Sequence, residues 1–544
     1  MRDWLSCLKL PFQSQSEKRL LIDIKDRPDS LWLDRFMHSE WPDYESWIRR
    51  YQYLDDDIWM SQRREALSWD NPPFFNVVVP VYNTPPGFLF ECVFSLFMQS
   101  YPFWELCLVD DGSDRMDTRL MFAFLNRGRG VFNIKAKILP ENAGISNATN
   151  EAIRLGRGGW VAFLDHDDVL SPEALYWMAK YILEFPDTDV LYSDRDELSE
   201  AGVRFRFLLK PDWSPETILG TIYLFHLTVW RRSFLEGFSK GGTGPLRSEF
   251  DGAQDYDLLL RASERTDRIR HVPRVLYHYR RHPGSLSMNE EVKPYGVIAA
   301  RKALSQALKR RGIPAELEEI PWLWRGNYRL RFEKLPEGSW KVFTWRRGEE
   351  KTFYRTIAGA LVSRAEFIIF LFEDLIPVGE DSFRELLYWF HVPEVAMVTG
   401  KVLDASGKIW HAGLVLKPDG DLLPVYRGCP ESEPGYMAMT TVARNVSVPY
   451  PLCVAVRREA LEKVGYADSL KGPHILLDVA LRLAERGQRV VFNPFAKFVV
   501  KDPVDPWFLE DREVFRRLHE PRLSRGDPYY HPGFSLDDPI VRLR

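Results

Sequence analysis

The most constraining stretch of this sequence is WVAFLDHDDVL, residues 160–170, where an apolar run stops abruptly in three carboxylates. Trp160 to Leu164 has the length and composition of a buried strand. Asp165, Asp167 and Asp168 follow at once, and like charges so close repel one another. Such a cluster needs open water or a bound cation. In open α/β sheets ligands gather at the carboxyl ends of strands, which is where these acids sit. The same residues also fit an acidic turn before a helix, since Ser171, Pro172 and Glu173 supply an N-cap, an N1 proline and a first-turn acid.

The chain around this stretch alternates strands with helices. Strands are predicted over 75–81, 105–109 and 134–139, and helices over 88–99, 118–125 and 146–155. The second strand runs into Asp110-Asp111-Gly112-Ser113-Asp114, and Asn142-Ala143-Gly144 forms the turn before the third helix. This order predicts a parallel α/β sheet with helices on both faces. Further on come short strands at 190–193 and 227–230, and a helix from near Gln254 in GAQDYDLLLRA. A strand at 272–279 then precedes Arg280, Arg281 and His282, and a basic helix at 299–311 leads out.

A chain of 544 residues is too long for one core. Four parts are predicted: a helical lead-in at 1–72, a first α/β domain at 73–315, a second at 316–502 and a surface tail at 503–544. The net charge of −4 gives no basic signal for nucleic acid. Five cysteines, with no C-x-x-C pair, fit a reducing compartment rather than a disulfide framework or a zinc site. No apolar run approaches the roughly 18 residues of a membrane span. The opening MRDWLSCLKLPF lacks the features of a secretory signal, and its Trp4, Leu5, Leu8 and Leu10 form an apolar face expected to pack on the protein. A soluble, cytoplasmic protein is expected.

Five segments in register carry a family resemblance: VVVPVYN, LVDDGSD, NAGISNATNEA, FLDHDDVL and GAQDYDLLLR. Together they resemble the family 2 glycosyltransferases, whose GT-A fold is a Rossmann-like mixed sheet. KPDWSPE, VLYHYR and DPYYHPGFS are similar to the two-domain bacterial group linked to O-antigen and other surface polysaccharides. The likeness spans most of residues 40–544. It implies an inverting, metal-dependent transfer of sugar from a UDP- or dTDP-linked donor to a glycan or lipid-linked glycan acceptor. Peripheral contact with the inner face of the membrane goes with that reading.

The resemblance also implies roles for particular residues. Nucleotide contacts fall on Pro80, Tyr82, Asn83, Asp111, Ser113, Asn142, Asp165 and Arg281. A carboxylate such as Asp111 can accept the N–H of a pyrimidine ring, and Tyr82 offers a stacking surface. Asp167 and His278 are the implied ligands of Mn²⁺ or Mg²⁺, a hard cation suited to carboxylates and diphosphate together. Asp255 is the implied base, with Gln254 and Trp213 toward the acceptor. Each has a plainer reading: a D-G-S turn, a core histidine in an aromatic strand, a solvated Arg280-Arg281 strand end, and a first-turn acid favoured by the helix dipole.

Residues 330–500 echo the first domain. Phe372-Glu373-Asp374 follows another apolar strand, and Leu477-Asp478-Val479-Ala480 matches Gln254-Asp255-Tyr256-Asp257 by pattern, with Ala480 in place of Asp257. No counterpart of VPVYN or VDDGSD is present, Phe372 replaces the first acid, and no histidine stands where His278 would fall. A truncated, degenerate second GT-A-like domain is expected.

Overall fold

The computed structural model describes residues 28–127, 133–283, 295–503, 505 and 509–544. Cys7 and the apolar face at Trp4, Leu5, Leu8 and Leu10 lie outside the described residues. The chain forms two compact units, Met1–Leu209 with Phe225–Ala300 and Lys210–Leu224 with Arg301–Arg544. The predicted border at 315 therefore moves to 300, and the KPDWSPE segment belongs to the second unit. That assignment rests on pairings remote in sequence.

Among the described residues, the first unit opens with three helices, α1 (Ser30–Arg35), α2 (Pro42–Tyr51) and α3 (Asp56–Leu67). Asp29 accepts the N–H of Leu31 and Trp32, Asp55 accepts that of Ile58, and Pro42 starts α2, so each start carries a recognisable signal. Trp32, Trp47 and Trp59 are buried on the faces that pack down.

Strands β1 (Phe75–Val81), β2 (Trp104–Asp110), β3 (Ile134–Ile138), β4 (Trp160–Phe163), β5 (Val169–Leu170), β6 (Val190–Leu198), β7 (Arg204–Leu208), β8 (Thr228–Arg231) and β9 (Ile269–Arg280) form one sheet. Its order is β3-β2-β1-β4-β8-β6-β9-β5, with β7 beside β6. The first four strands are parallel, β8 is antiparallel to β4 and β6, and β9 is parallel to β6 and antiparallel to β5. Every residue of β1 and β2 is buried, as continuous apolar strands covered on both faces require. Helices α4 (Pro86–Phe97), α5 (Met116–Arg127), α6 (Ile145–Leu155), α7 (Ala174–Glu184) and α8 (Gln254–Ala262) complete the layers. Val81 pairs with Asp110 and Val78 with Phe163, so the carboxyl ends of β1, β2 and β4 open on one edge.

The second unit begins with a hairpin, β10 (Ala315–Glu319) and β11 (Tyr328–Phe332). Its main sheet contains β12 (Trp340–Trp345), β13 (Phe367–Phe372), β14 (Leu375–Pro377), β15 (Val395–Asp404), β16 (Ile409–His411), β19 (Arg444–Val446), β20 (Cys453–Arg457) and β21 (Arg489–Val500); β17 (Leu414–Leu416) and β18 (Leu422–Pro424) pair separately. The order β12-β13-β20-β15-β21-β14, with β16 beside β15, repeats β1-β4-β8-β6-β9-β5 with β7 beside β6. The parallel and antiparallel senses match as well. Among the described residues β2 and β3 have no counterpart, so the expected truncation falls on the side that carries VDDGSD in the first unit.

Because the registers correspond, positions can be equated one by one. Phe163 pairs with Thr228 as Phe370 pairs with Val454, which sets Asp165 opposite Phe372. Val169 pairs with His278 as Ile376 pairs with Val499, which sets Asp168 opposite Leu375. Helix α9 (His474–Ala484) precedes β21 at the spacing by which α8 precedes β9. That spacing equates Asp478 with Asp257, and Leu476 with Asp255. The pattern match that paired Asp478 with Asp255 is therefore out of step by two residues. Arg261 and Arg482 settle the frame, each binding the buried aspartate four residues before it.

The stretch expected to be a surface tail includes α10 (Leu509–Leu523), which is built into the second unit. Phe515 is fully buried, Asp511 accepts the N–H of Lys471 and Gly472, and His519 Nε2 lies 2.8 Å from Asp478 Oδ1.

Candidate active site

Three loops at the open edge of the first unit are tied to one another. Asn83, at φ 51°, donates its N–H to Ser113 Oγ at 2.9 Å and accepts the N–H of Asp114 and Arg115 on Oδ1 at 3.1 Å each. Ser113 Oγ donates to Asp110 Oδ1 at 2.5 Å. The two oxygens of Asp111 accept the N–H of Ala143 and Gly144, at 2.8 and 3.0 Å. Gly112, at φ +66°, passes so close that a Cβ would lie 2.6 Å from the carbonyl carbon of Glu141. Asn142 is exposed and accepts the N–H of Gly144 at 3.2 Å. Tyr82 is 44% exposed beside this platform, whereas Pro80 is buried inside the β1 ladder opposite Val109.

The acids after β4 sit in a second cluster. Asp168 is fully buried; its carboxylate accepts the Tyr277 hydroxyl at 2.5 Å and the Arg280 N–H at 2.7 Å. The Tyr277 hydroxyl also accepts the Asp165 N–H at 3.3 Å. His226 stacks on the Tyr277 ring at 4.7 Å and brings Nε2 to 3.4 Å from Asp165 Oδ2. His282 Nε2 lies 2.9 Å from Asp167 Oδ2. Buried Arg280 donates to the Asp167 carbonyl at 2.8 Å and to Glu91 at 2.7 Å, which fixes the turn from below.

Charge in the cluster is unevenly shared. Burial and the neighbouring Asp167 charge push the Asp165 carboxyl up to about 6. Burial acts on Asp167 in the same direction, but His166 and His282 outweigh it and hold that carboxyl down at about 2. Asp168 is raised well above the usual range by burial and by both neighbouring carboxylates. A cation would relieve this repulsion, and the donor set suits one. Ligand atoms of Asp165, Asp168 and His226 all lie within 4.8 Å of one another.

Asp255, in the first turn of α8, faces the same cluster. Burial raises its carboxyl, the charge of Asp165 adds to the rise, and His226 opposes it. The Asp255 side chain accepts the N–H of Tyr256 at 2.8 Å, and Gln254 Oε1 accepts that of Gly252 at 2.8 Å. Two residues on, Asp257 is fully buried between Arg247 and Arg261.

His278 and Arg281 are engaged elsewhere in the first unit, and Trp213 falls in the second. His278 is completely buried, with Nδ1 2.5 Å from Asp196 Oδ1 and its ring 4.8 Å from that of Phe36. It belongs to a core network in which Asp196 also accepts the Tyr44 hydroxyl and Arg204 Nε, so the expectation of a metal ligand at His278 is corrected. The imidazole beside Asp167 comes from His282, just past the strand end. Arg281 pairs at 3.6 Å with Glu197. Trp213 lies in the second unit, within the segment anchored by Glu216. His226, His166, Tyr277 and Arg280 were not singled out by sequence reasoning as members of the acid cluster; His226 in particular stands alone in FHL with no spacing signal.

The corresponding positions of the second unit hold no such chemistry. Asp165, Asp168, Tyr277, His226 and Asp255 give way to Phe372, Leu375, Phe498, Leu452 and Leu476, and only Asp374 keeps an acid, in the place of Asp167.

Residues 76–223 match the family described as glycosyl transferase family 2. The uncharacterized protein y4gI of Sinorhizobium fredii is 29% identical over 536 residues, covering 86% of this chain and 58% of its own. The O-antigen biosynthesis protein RfbC of Myxococcus xanthus is 29% identical over 536 residues, covering 87% of this chain and 41% of its own. The chain thus spans about half the length of these relatives. The structure of S. aureus TarS 1-349 in complex with UDP overlaps 44% of this chain and 71% of that one, at 23% identity and a TM-score of 0.32. Over residues 76–223, which lie in the first unit apart from the 210–223 segment of the second, the chain is similar to glycosyl transferase family 2.

Proposed function

We propose that this protein is an inverting, metal-dependent glycosyltransferase. It moves a sugar from a UDP- or dTDP-linked donor to a glycan acceptor in the synthesis of a bacterial surface polysaccharide. The observation that carries the reading is the convergence of Asp165, Asp167, His226 and Asp255 at one strand edge beside the tied loops at 83, 111–113 and 142–144. Kinship with an O-antigen biosynthesis protein supports the choice of product class. The four free cysteines among the described residues agree with a cytoplasmic site of action.

In this reading Tyr82 stacks on the pyrimidine and Asp111, each of whose oxygens already holds one loop amide, accepts its ring N–H on a remaining lone pair. Asp165 and His226, whose ligand atoms lie within 4.8 Å of each other and of Asp168, would hold Mn²⁺ or Mg²⁺ together with the adjacent Asp167; when bound, the ion supplies positive charge beside the departing diphosphate. Asp168 orients the cluster through Tyr277 and Arg280. Asp255 takes the proton of the acceptor hydroxyl as the new C–O bond forms and the bond to diphosphate breaks. Its raised proton affinity suits a general base.

Calorimetric titration of UDP and dTDP with and without Mn²⁺, on wild type and Asp167→Ala, tests this. One nucleotide should bind only with metal, and the variant should weaken it about 10- to 100-fold. Absence of binding by either nucleotide under every condition would remove the transferase reading in favour of a non-catalytic scaffold.

A further inference from the structure

The truncation that removes the counterparts of β2 and β3 leaves β12 at the edge of its sheet. Among the described residues β12 pairs with β13 alone. The Ser339 and Trp345 carbonyls accept the N–H of Phe367 and Glu373, at 3.0 Å each. Bonding direction alternates along a parallel ladder, so the N–H and C=O of Trp340, Val342 and Thr344 point away from β13. Among the described residues none of these outward groups has a partner. In the first unit β1, at the same place in the order, has β2 on that side. Edge strands are commonly blunted by proline, bulges or shortness. β12 has none of these: it reads Trp-Lys-Val-Phe-Thr-Trp and keeps one register with β13 over its whole length. Trp340 is 43% exposed, and Val342 and Phe343 are half-buried.

An open strand of this kind takes another strand, and its own sequence says which one. Two copies related by a two-fold axis would pair antiparallel here. Outward groups must face outward groups, so the register can change only in steps of two residues. With Val342 opposite the partner's Val342, Trp340 meets the partner's Thr344, Lys341 the partner's Phe343 and Glu337 the partner's Arg347, each twice by symmetry. Lys341 Nζ lies 5.3 Å over the Phe343 ring of its own strand, and the pairing brings the same two groups together across the axis. Sliding one strand by two residues sets Lys341 against the partner's Lys341; sliding it the other way sets Glu337 against the partner's Glu349. Charge therefore selects a single register, in which the strand complements itself. We propose that β12 joins two copies of this chain, continuing the main sheet of one second unit into that of the other. The contact is independent of the sugar-transfer reading.

Sedimentation velocity of the full chain tests the proposal. Wild type should sediment as a dimer at about 10 µM and dissociate on dilution. Val342→Pro deletes the two central bonds between copies and none to β13, and should raise the dissociation constant about tenfold or more. Glu337 and Arg347 are both exposed, and Arg347 donates to the Asp502 carbonyl at 3.0 Å. Glu337→Arg and Arg347→Glu should each weaken the dimer about three- to tenfold, and the double reversal should restore it. These surface reversals decide the matter even if the proline variant fails to fold. Wild type that stays monomeric at that concentration would overturn the proposal. So would a dimer left unchanged by Val342→Pro, or single reversals that the double reversal does not rescue.

Discussion

Asp165 and Asp168 stand three positions apart yet serve different ends. Asp168 has both oxygens engaged and no solvent access, so it shapes the turn. Asp165 is half-buried, and its carboxyl is pushed up to about 6 by burial and by Asp167. A group raised in this way is largely protonated below pH 6, and a cation must displace that proton. Mn²⁺ affinity should therefore be nearly flat above pH 7 and fall by about tenfold per pH unit below 6. Titrations at pH 5, 6, 7 and 8 check this, and Asp165→Asn should flatten the slope along with weakening binding. Affinity constant from pH 5 to 7 would contradict the assignment. At this scale the acids were legible because an apolar run ended in them. The choice between His278 and His282 was not, since LYHYRRH contains both and only the packing of β9 turns the first into the core.

Helices α8 and α9 show what local pattern can and cannot resolve. Both were readable as amphipathic helices that start near an acid. Their mutual alignment was not, because α8 offers two aspartates, Asp255 and Asp257, against the single Asp478 of α9. The deciding features are the arginine four residues on and the distance to the following strand. This separates a structural aspartate from a chemical one within α8. Asp257→Asn breaks a buried pair with Arg247 and Arg261 and should cost about 3–5 kcal/mol of stability. Asp255→Asn should leave stability within about 0.5 kcal/mol and lower turnover about 10²- to 10⁴-fold. Urea denaturation and a sugar-transfer assay separate the two; loss of stability in Asp255→Asn would return that residue to the fold.

For the molecule as a whole, the sheet is used twice and its chemistry once. Apolar strands made both units legible, and the missing VDDGSD announced the truncation. The assignment of residues 210–224 was hidden because nothing within the segment names its partners. Glu216, 2% exposed, accepts Arg489 Nε and Nη2 at 2.8–3.0 Å and Asn445 Nδ2 at 2.6 Å. Arg489→Met should leave that carboxylate buried with half its partners and lower stability by about 3–5 kcal/mol. Chemical denaturation measures it, and a change below about 1 kcal/mol would show the pair to be dispensable.

This pair also sets an order in time. Glu216 and Arg489 are 273 residues apart. At roughly 5–20 residues per second, the ribosome adds the second about 15–55 s after the first. Until then Glu216 lacks the guanidinium that it pairs with in the finished chain. The later half then fastens the loop, so a recombination event that cut the gene between the two units would strand a piece of one inside the other.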